Sequence, residues 1–157
     1  MVEHAALRLH FRFARETNSN AIYQLEEFVR SCHARIEDEL VFPKLKESIS
    51  RLLEETVTKD LSRLEADHRL IDKIGDQIKV RTVQGDEETL RKRILLYMNT
   101  VESHNAGEES LIFQHWNVSE AEEHEVKSKA WDIIRAFGLN RYFAITGFSE
   151  KLVEMIY

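Results

Sequence analysis

Helix breakers are scarce in this chain. Five Gly and one Pro stand among 157 residues, roughly 4% where an average sequence carries about 12%. A turn-rich β-sandwich or barrel needs many more, so long uninterrupted helices are the default. Apolar residues fall at helical spacing in four stretches. The first stripe is His4, Leu7, Phe11 and Ala14, and the second runs Ile22, Leu25, Val29, Cys32/His33, Ile36 and Leu40. The third is Leu61, Leu64, His68, Ile71, Gly75 and Ile78, and the fourth is Leu90, Ile94, Tyr97, Val101, His104, Glu108 and Leu111. Turn signals separate them: Thr17-Asn18-Ser19-Asn20, then Pro43 with Ser48-Ile49-Ser50, then Thr82-Val83-Gln84-Gly85-Asp86. Links this short make neighbouring helices antiparallel. A fifth helix opens at the capping-box pattern Ser119-Glu120-Ala121-Glu122 and stops at Gly138, and residues 139–157 read as a further short helical segment.

Composition narrows the function. The chain is 43% hydrophobic and 32% charged, the balance of one globular domain with a real core. Twenty-two basic against 28 acidic residues leave a net charge of -6, which argues against a nucleic-acid or anionic-membrane surface. The start Met1-Val2-Glu3-His4 has no signal-peptide pattern, and no window approaches the roughly 18 uncharged apolar residues of a membrane span; a cytoplasmic protein is expected. A single cysteine, Cys32, excludes an intrachain disulfide and a thiolate-rich metal site, so any metal must use imidazole and carboxylate. Seven histidines are available.

Polar residues in the apolar seams need explaining. Aligning the second stripe with the fourth exposes a repeat, H-x3-E-[DE]-x-L-[VI]-F, at His33–Phe42 and His104–Phe113. A four-residue step puts histidine and glutamate on one helix face about 6 Å apart along the axis, close enough to reach one metal centre. Helices one and three echo each other too, since Glu3-His4-x-x-Leu7 matches Asp67-His68-x-x-Ile71. Residues equidistant from the turn of a helical hairpin lie at one height, and the midpoints of His4/His33, His33/His68 and His68/His104 all fall in or beside expected turns. Each helix of a four-helix bundle thus brings a histidine to one layer, joined by Glu37 and Glu108. A lone core histidine is usually just hydrogen-bonded. Four of them with two glutamates would leave unpaired polar groups and two buried charges, each costly, and a metal cluster supplies the compensation. With mixed nitrogen and oxygen ligands and open positions, iron or manganese suits better than zinc.

His4, His33-x3-Glu37, Phe42-Pro43, His68 and His104-x3-Glu108 resemble the hemerythrin-like (HHE cation-binding) family. The resemblance covers about residues 1–116, leaving 117–157 as a C-terminal helical extension expected to pack on the same domain. It implies an all-α, up-down-up-down four-helix bundle holding two iron ions in a non-haem di-iron site, bridged by Glu37, Glu108 and an oxygen atom (oxo or hydroxo). Oxygen-carrying members have a fifth histidine one turn after the third-helix ligand, where this chain has Asp72. Four histidines and two carboxylates resemble instead the set in di-iron iron–sulfur-cluster repair proteins and sensor-type members. Ligand arithmetic agrees: two histidines per iron plus two shared glutamates give four bonds to each, so both irons keep open positions. Asp72 is placed to be an additional ligand, though a solvated or outer carboxylate is the preferred reading.

The remaining residues are assigned as follows. Gly75 and Gly107 are candidates for lining a ligand pocket, with close helix packing as the other explanation. His10, some 240° round the helix from His4, is read as surface or inter-helix, and neither His115 nor His124 is expected to bind. Cys32 is read as a small core residue. The expected function is binding of a small diatomic ligand, NO or O2, for sensing or detoxification. The alternatives are a di-iron redox enzyme (peroxide or NO reduction, or cluster repair) and an iron store or partner-regulated module. In the last case residues 119–157 would bury their exposed face against a partner or a second copy in a homo-oligomer.

Overall fold

A computed structural model describes residues 2–17, 21–52, 55–149 and 151. The described residues form six helices and no strand. Helix α1 is Val2–Thr17, α2 spans 21–52, α3 is Glu55–Gln84 and α4 spans 87–112. A 3-10 turn Phe113–His115 follows, then α5, Glu120–Phe137, and α6, Leu139–Thr146. No helix among the described residues is long and apolar enough to cross a membrane. The architecture is the all-helical bundle that the breaker count and the stripes imply.

Local chemistry accounts for most of the boundaries. Gly85 takes φ 69°, open to glycine at little cost, and Asp86 then caps α4 by accepting a hydrogen bond from Thr89 N at 3.1 Å. Ser119 and Glu122 form the reciprocal capping box of α5, which ends at Gly138 with φ 111°. The expected first link, 18–20, lies outside the described residues. The expected turn at Ser48-Ile49-Ser50 is helical instead. Ser48 is buried and donates to the Asn117 carbonyl at 3.0 Å, and Ile49 is buried in an apolar cluster, so tertiary contacts hold these residues in α2. The described part of α2 runs to Leu52 and α3 begins at Glu55; 53–54 lie outside the described residues.

Three π-helical turns interrupt the bundle helices, at Val29–His33, Glu37–Val41 and Glu108–Ile112. A π turn accommodates one more residue than an α turn, so the inward face slips by about one position. This explains the differences from the stripe pattern. Cys32 and His33 are both buried, as are Ile36 and Glu37. Near the ends of the last two π turns Phe42 and Ile112 are fully buried, while Leu40 and Leu111 are only half-buried. The wide turn also accommodates Pro43. Phe42 N–H closes it by bonding back to the Glu37 carbonyl, and the proline, which has no N–H, enters where a new α-helical run begins.

The core divides into two apolar clusters with a polar layer between them. One contains Leu7, Phe11, Phe28, Ile71, Tyr97 and Val101 and takes in Ile134 and Tyr142 from α5 and α6. The other gathers Phe42, Leu45, Ile49, Leu61, Leu64 and Ile112. Helices α2, α3 and α4 each pass from one cluster to the other, and the residues at the crossing are His33 and Glu37, His68, and His104 and Glu108. Helix α1 packs on α2, α4 and α6, and α5 packs against the π turns of α2.

Gly75, a proposed pocket position, has a different use. A Cβ there would lie 2.6 Å from Glu26 Oε1 and 3.0 Å from its Cγ. Glu26 is buried and ion-paired with Arg30 at 2.8 Å and Lys79 at 2.7 Å. Gly107 likewise faces Leu64 Cδ2 at 3.1 Å. Helix packing therefore explains both glycines. Ordinarily Gly→Ala inside a helix adds about 1 kcal/mol; Gly75→Ala is expected to destabilise instead, and to become stabilising in a Glu26→Ala background. Denaturant unfolding of the four proteins of this cycle checks it. A gain from Gly75→Ala in the unmodified protein would contradict the packing role.

Candidate metal centre

Each of the four bundle helices delivers one histidine to the polar layer. His4, His33, Glu37, His68, His104 and Glu108 are all buried, and Glu108 is completely so. Two groups of ligand-capable atoms result, each contained within 4.8 Å: His4, His33, Glu37 and Glu108, and Glu37, His68, His104 and Glu108. The two glutamates belong to both. All six residues singled out from the sequence are thus brought together.

The Nε2 atoms face inward. His4 Nε2 lies 3.4 Å from Glu37 Oε1 and 3.4 Å from Glu108 Oε2; His33 Nε2 is 3.5 Å from Glu37 Oε1, and His68 Nε2 is 3.4 Å from Glu37 Oε2. His104 Nε2 is 3.4 Å from Glu108 Oε2 and 2.8 Å from His68 Nε2. The outer Nδ1 atoms each face another carboxylate. His4 Nδ1 donates to Glu109 at 2.9 Å, His33 Nδ1 to Glu3 at 3.0 Å and His68 Nδ1 to Asp38 at 2.8 Å, while His104 Nδ1 lies 3.9 Å from Asp67. Such outer carboxylates fix a ring's tautomer and orientation and leave Nε2 free as a ligand.

These outer residues were visible in the sequence without being assigned. The acid after each glutamate of the repeat, Asp38 or Glu109, holds the histidine of a neighbouring helix, and the closing Phe stacks on that same ring. Phe42 lies over His68 at 5.3 Å and Phe113 over His4 at 5.8 Å. The acid before each histidine in the α1/α3 echo, Glu3 or Asp67, faces His33 or His104. The spacing signal was the repeat itself. Tyr142 on α6 had no such signal. It is fully buried, and its hydroxyl donates to Glu3 Oε1 at 2.7 Å, so the extension reaches the centre through Glu3 and His33.

Electrostatics set the two shared carboxylates apart. Burial acts to raise Glu37, but the charge on His33 and the close approach of the His4 and His68 imidazoles outweigh it and hold the group well below the usual carboxylate range. Glu108 is pushed up, first by burial and then by the charge on Glu37, against the pull of His104. Two like charges this close in an apolar interior cannot both ionise freely. Burial works against protonation of His33 and His68, yet the neighbouring carboxylates raise them to about 9 and about 10.

The donor set fits metal cations. Among the described residues His33 Nε2, Glu37 Oε2 and both Glu108 carboxylate oxygens are buried without a hydrogen-bond partner. His4 and His104 Nε2 each lie 3.4 Å from Glu108 Oε2, and His33 and His68 Nε2 lie 3.5 and 3.4 Å from the Glu37 oxygens, beyond the roughly 2.7–2.9 Å of a charge-assisted hydrogen bond. Donors about 2.0–2.2 Å from a common ion lie about 2.8–3.1 Å apart at right angles and about 3.3–3.6 Å apart at tetrahedral angles, so a small contraction of the layer would bring these atoms onto shared ions.

The remaining candidates lie elsewhere. Asp72 belongs to neither group; its carboxylate is half exposed, 3.4 Å from Arg30. His10 bonds the Ile145 carbonyl at 2.7 Å, an inter-helix contact. His115 sits on the 3-10 turn, His124 is exposed, and neither joins a group. Cys32 is a buried core thiol that burial pushes up in pKa, away from thiolate chemistry.

The sequence model described as hemerythrin HHE cation binding domain matches residues 1–116. Comparison with curated proteins and with solved structures gives no match.

The Tyr142 contact yields a stability prediction. Tyr142→Phe keeps the ring but removes the hydroxyl that donates to a buried carboxylate, at an expected cost of about 1–3 kcal/mol. Urea unfolding of the metal-free protein measures it. A neutral effect would mean that Glu3 is held without the extension.

Proposed function

The chain belongs to the hemerythrin HHE cation-binding family, and from that premise we propose that it holds a non-haem di-iron centre at which NO or O2 binds, for sensing or detoxification. The observation that carries the reading is the sharing of Glu37 and Glu108 between two four-residue groups of buried donors. His4 and His33 serve one ion and His68 and His104 the other, within an up-down-up-down arrangement of α1 to α4, with residues 117–157 as an extension of the same domain. Bound ferrous ions supply open coordination positions and electrons to a diatomic molecule.

The chain's own residues do the rest. Glu37 and Glu108 bring balancing negative charge to a buried layer, and the outer carboxylates hold each ring in the tautomer that presents Nε2. Phe28, Phe42 and Phe113 stack on His33, His68 and His4 and keep water from the rings. Asp72, turned toward Arg30, does not supply the further ligand that oxygen carriage uses, so both ions keep open positions.

Metal analysis tests the centre. Protein produced with ample iron is expected to contain about two irons per chain, since the donor set exceeds what one six-coordinate ion uses. Glu37→Ala and Glu108→Ala each lose at least one, and His115→Ala loses none. One tightly held iron, or metal loss in His115→Ala, would contradict the assignment. Loaded protein should also melt markedly higher than metal-free protein, because metal relieves the crowded carboxylates and imidazoles.

Stopped-flow mixing of the reduced protein tests the ligand. NO is expected to bind tightly, while O2 is expected to give only a transient spectrum that ends in oxidised protein. A long-lived O2 spectrum that reverses on deoxygenation would point to oxygen carriage instead.

A further inference from the structure

The extension meets the bundle beside the polar layer, and the space between them is hollow. A cavity of about 140 Å³ has Glu3, His33 and Glu37 at its inner end, and its apolar wall includes Val41, Phe113 and Val126. An outer cavity of about 330 Å³ shares Val41, Phe113, Val126 and Lys127 with it and continues past Trp116 to Glu123. Together they run from the surface to the candidate ligands. A water molecule's share of liquid volume is about 30 Å³, so even the inner chamber has room for a diatomic molecule.

Part of the route's wall comes from beyond the matched domain. Val126, Lys127 and Ala130 lie on α5, beyond the residues 1–116 that the family match covers. Helix α5 is a firm roof. Its Ala130, Ile133, Ile134 and Phe137 are buried in the main core, and α6, which follows it directly, is tied to the layer by Tyr142. Lys127, at the mouth, is paired with Glu123 at 2.9 Å, so this cation on the wall already has a partner. An anion entering would shed its water against Val41, Phe113 and Val126 and then meet the Glu3 and Glu37 carboxylates, a large cost. A small uncharged molecule meets no such barrier.

We propose that the cavity between α5 and the π turn Glu37–Val41 binds small uncharged molecules of diatomic size and conducts them to the centre, with Val126 as its constriction. The site's role as a route rests on the di-iron reading above; its occupancy by an apolar guest does not. The chemistry required is the absence of charge together with small size, which xenon shares with NO.

Two measurements test the proposal and keep the two readings apart. Crystals of the full chain pressurised with xenon should show an anomalous peak between Val41, Phe113 and Val126, whereas iodide, an anion of similar size, should give none there. Val126→Trp should abolish the xenon peak. In iron-loaded, reduced protein the rate of NO association should fall by about tenfold in Val126→Trp and rise in Val126→Ala, at unchanged iron content. No xenon peak in the unmodified protein, or an iodide peak in its place, would overturn the binding site. Equal NO rates in all three proteins would overturn the route. Unmodified protein that takes up no iron would refute the di-iron reading and with it the route, while the xenon and iodide results would still decide the site.

Discussion

Placing Glu37 and Glu108 side by side in an apolar interior costs several kcal/mol per ionised group unless opposite charge and hydrogen bonds repay it, and the surrounding residues are arranged to meet that demand. Four imidazoles face the pair from four helices. Around the imidazoles, four more carboxylates stand at the Nδ1 side, three of them within hydrogen-bond distance. The layer separates two apolar clusters. Its polar groups are therefore held between two packed apolar clusters.

That packing needs helices whose inward face shifts phase at the layer. Three π turns supply the shift, and two of them begin at Glu37 and Glu108 themselves. The wide turns let histidine and a neighbouring core residue both point inward, and they bring Phe42 and Phe113 over rings on other helices. The extension then completes what the bundle leaves open, through Tyr142 on Glu3 and through the roof that α5 places beside His33 and Glu37.

Much of this was legible before any coordinates. The six clustered residues follow from a repeat and from midpoint arithmetic, because helical rise fixes height and antiparallel links fix direction. The caps at Asp86 and Ser119 are local chemistry that short motifs encode. The rest was hidden for physical reasons. A π turn has no strong sequence signature, so the fourth stripe ends on Leu111 where the fold buries Ile112. Ser48 and Ile49 look like turn residues, but burial against α3 and the Asn117 carbonyl keeps them helical. Gly75 offered space whose occupant, Glu26, sits far away in sequence, and Tyr142 lies beyond any motif. In each case a tertiary partner decides, and no local pattern names it.

Mössbauer spectroscopy of protein loaded with the iron-57 isotope tests the shared-carboxylate centre most directly. If Glu37 and Glu108 are common to two ions, the oxidised protein should show high-spin ferric irons coupled to each other into a diamagnetic ground state, without magnetic splitting at low temperature in a weak field. Uncoupled ferric iron with its own magnetic splitting would show that the two groups do not hold a shared pair, and would contradict the account.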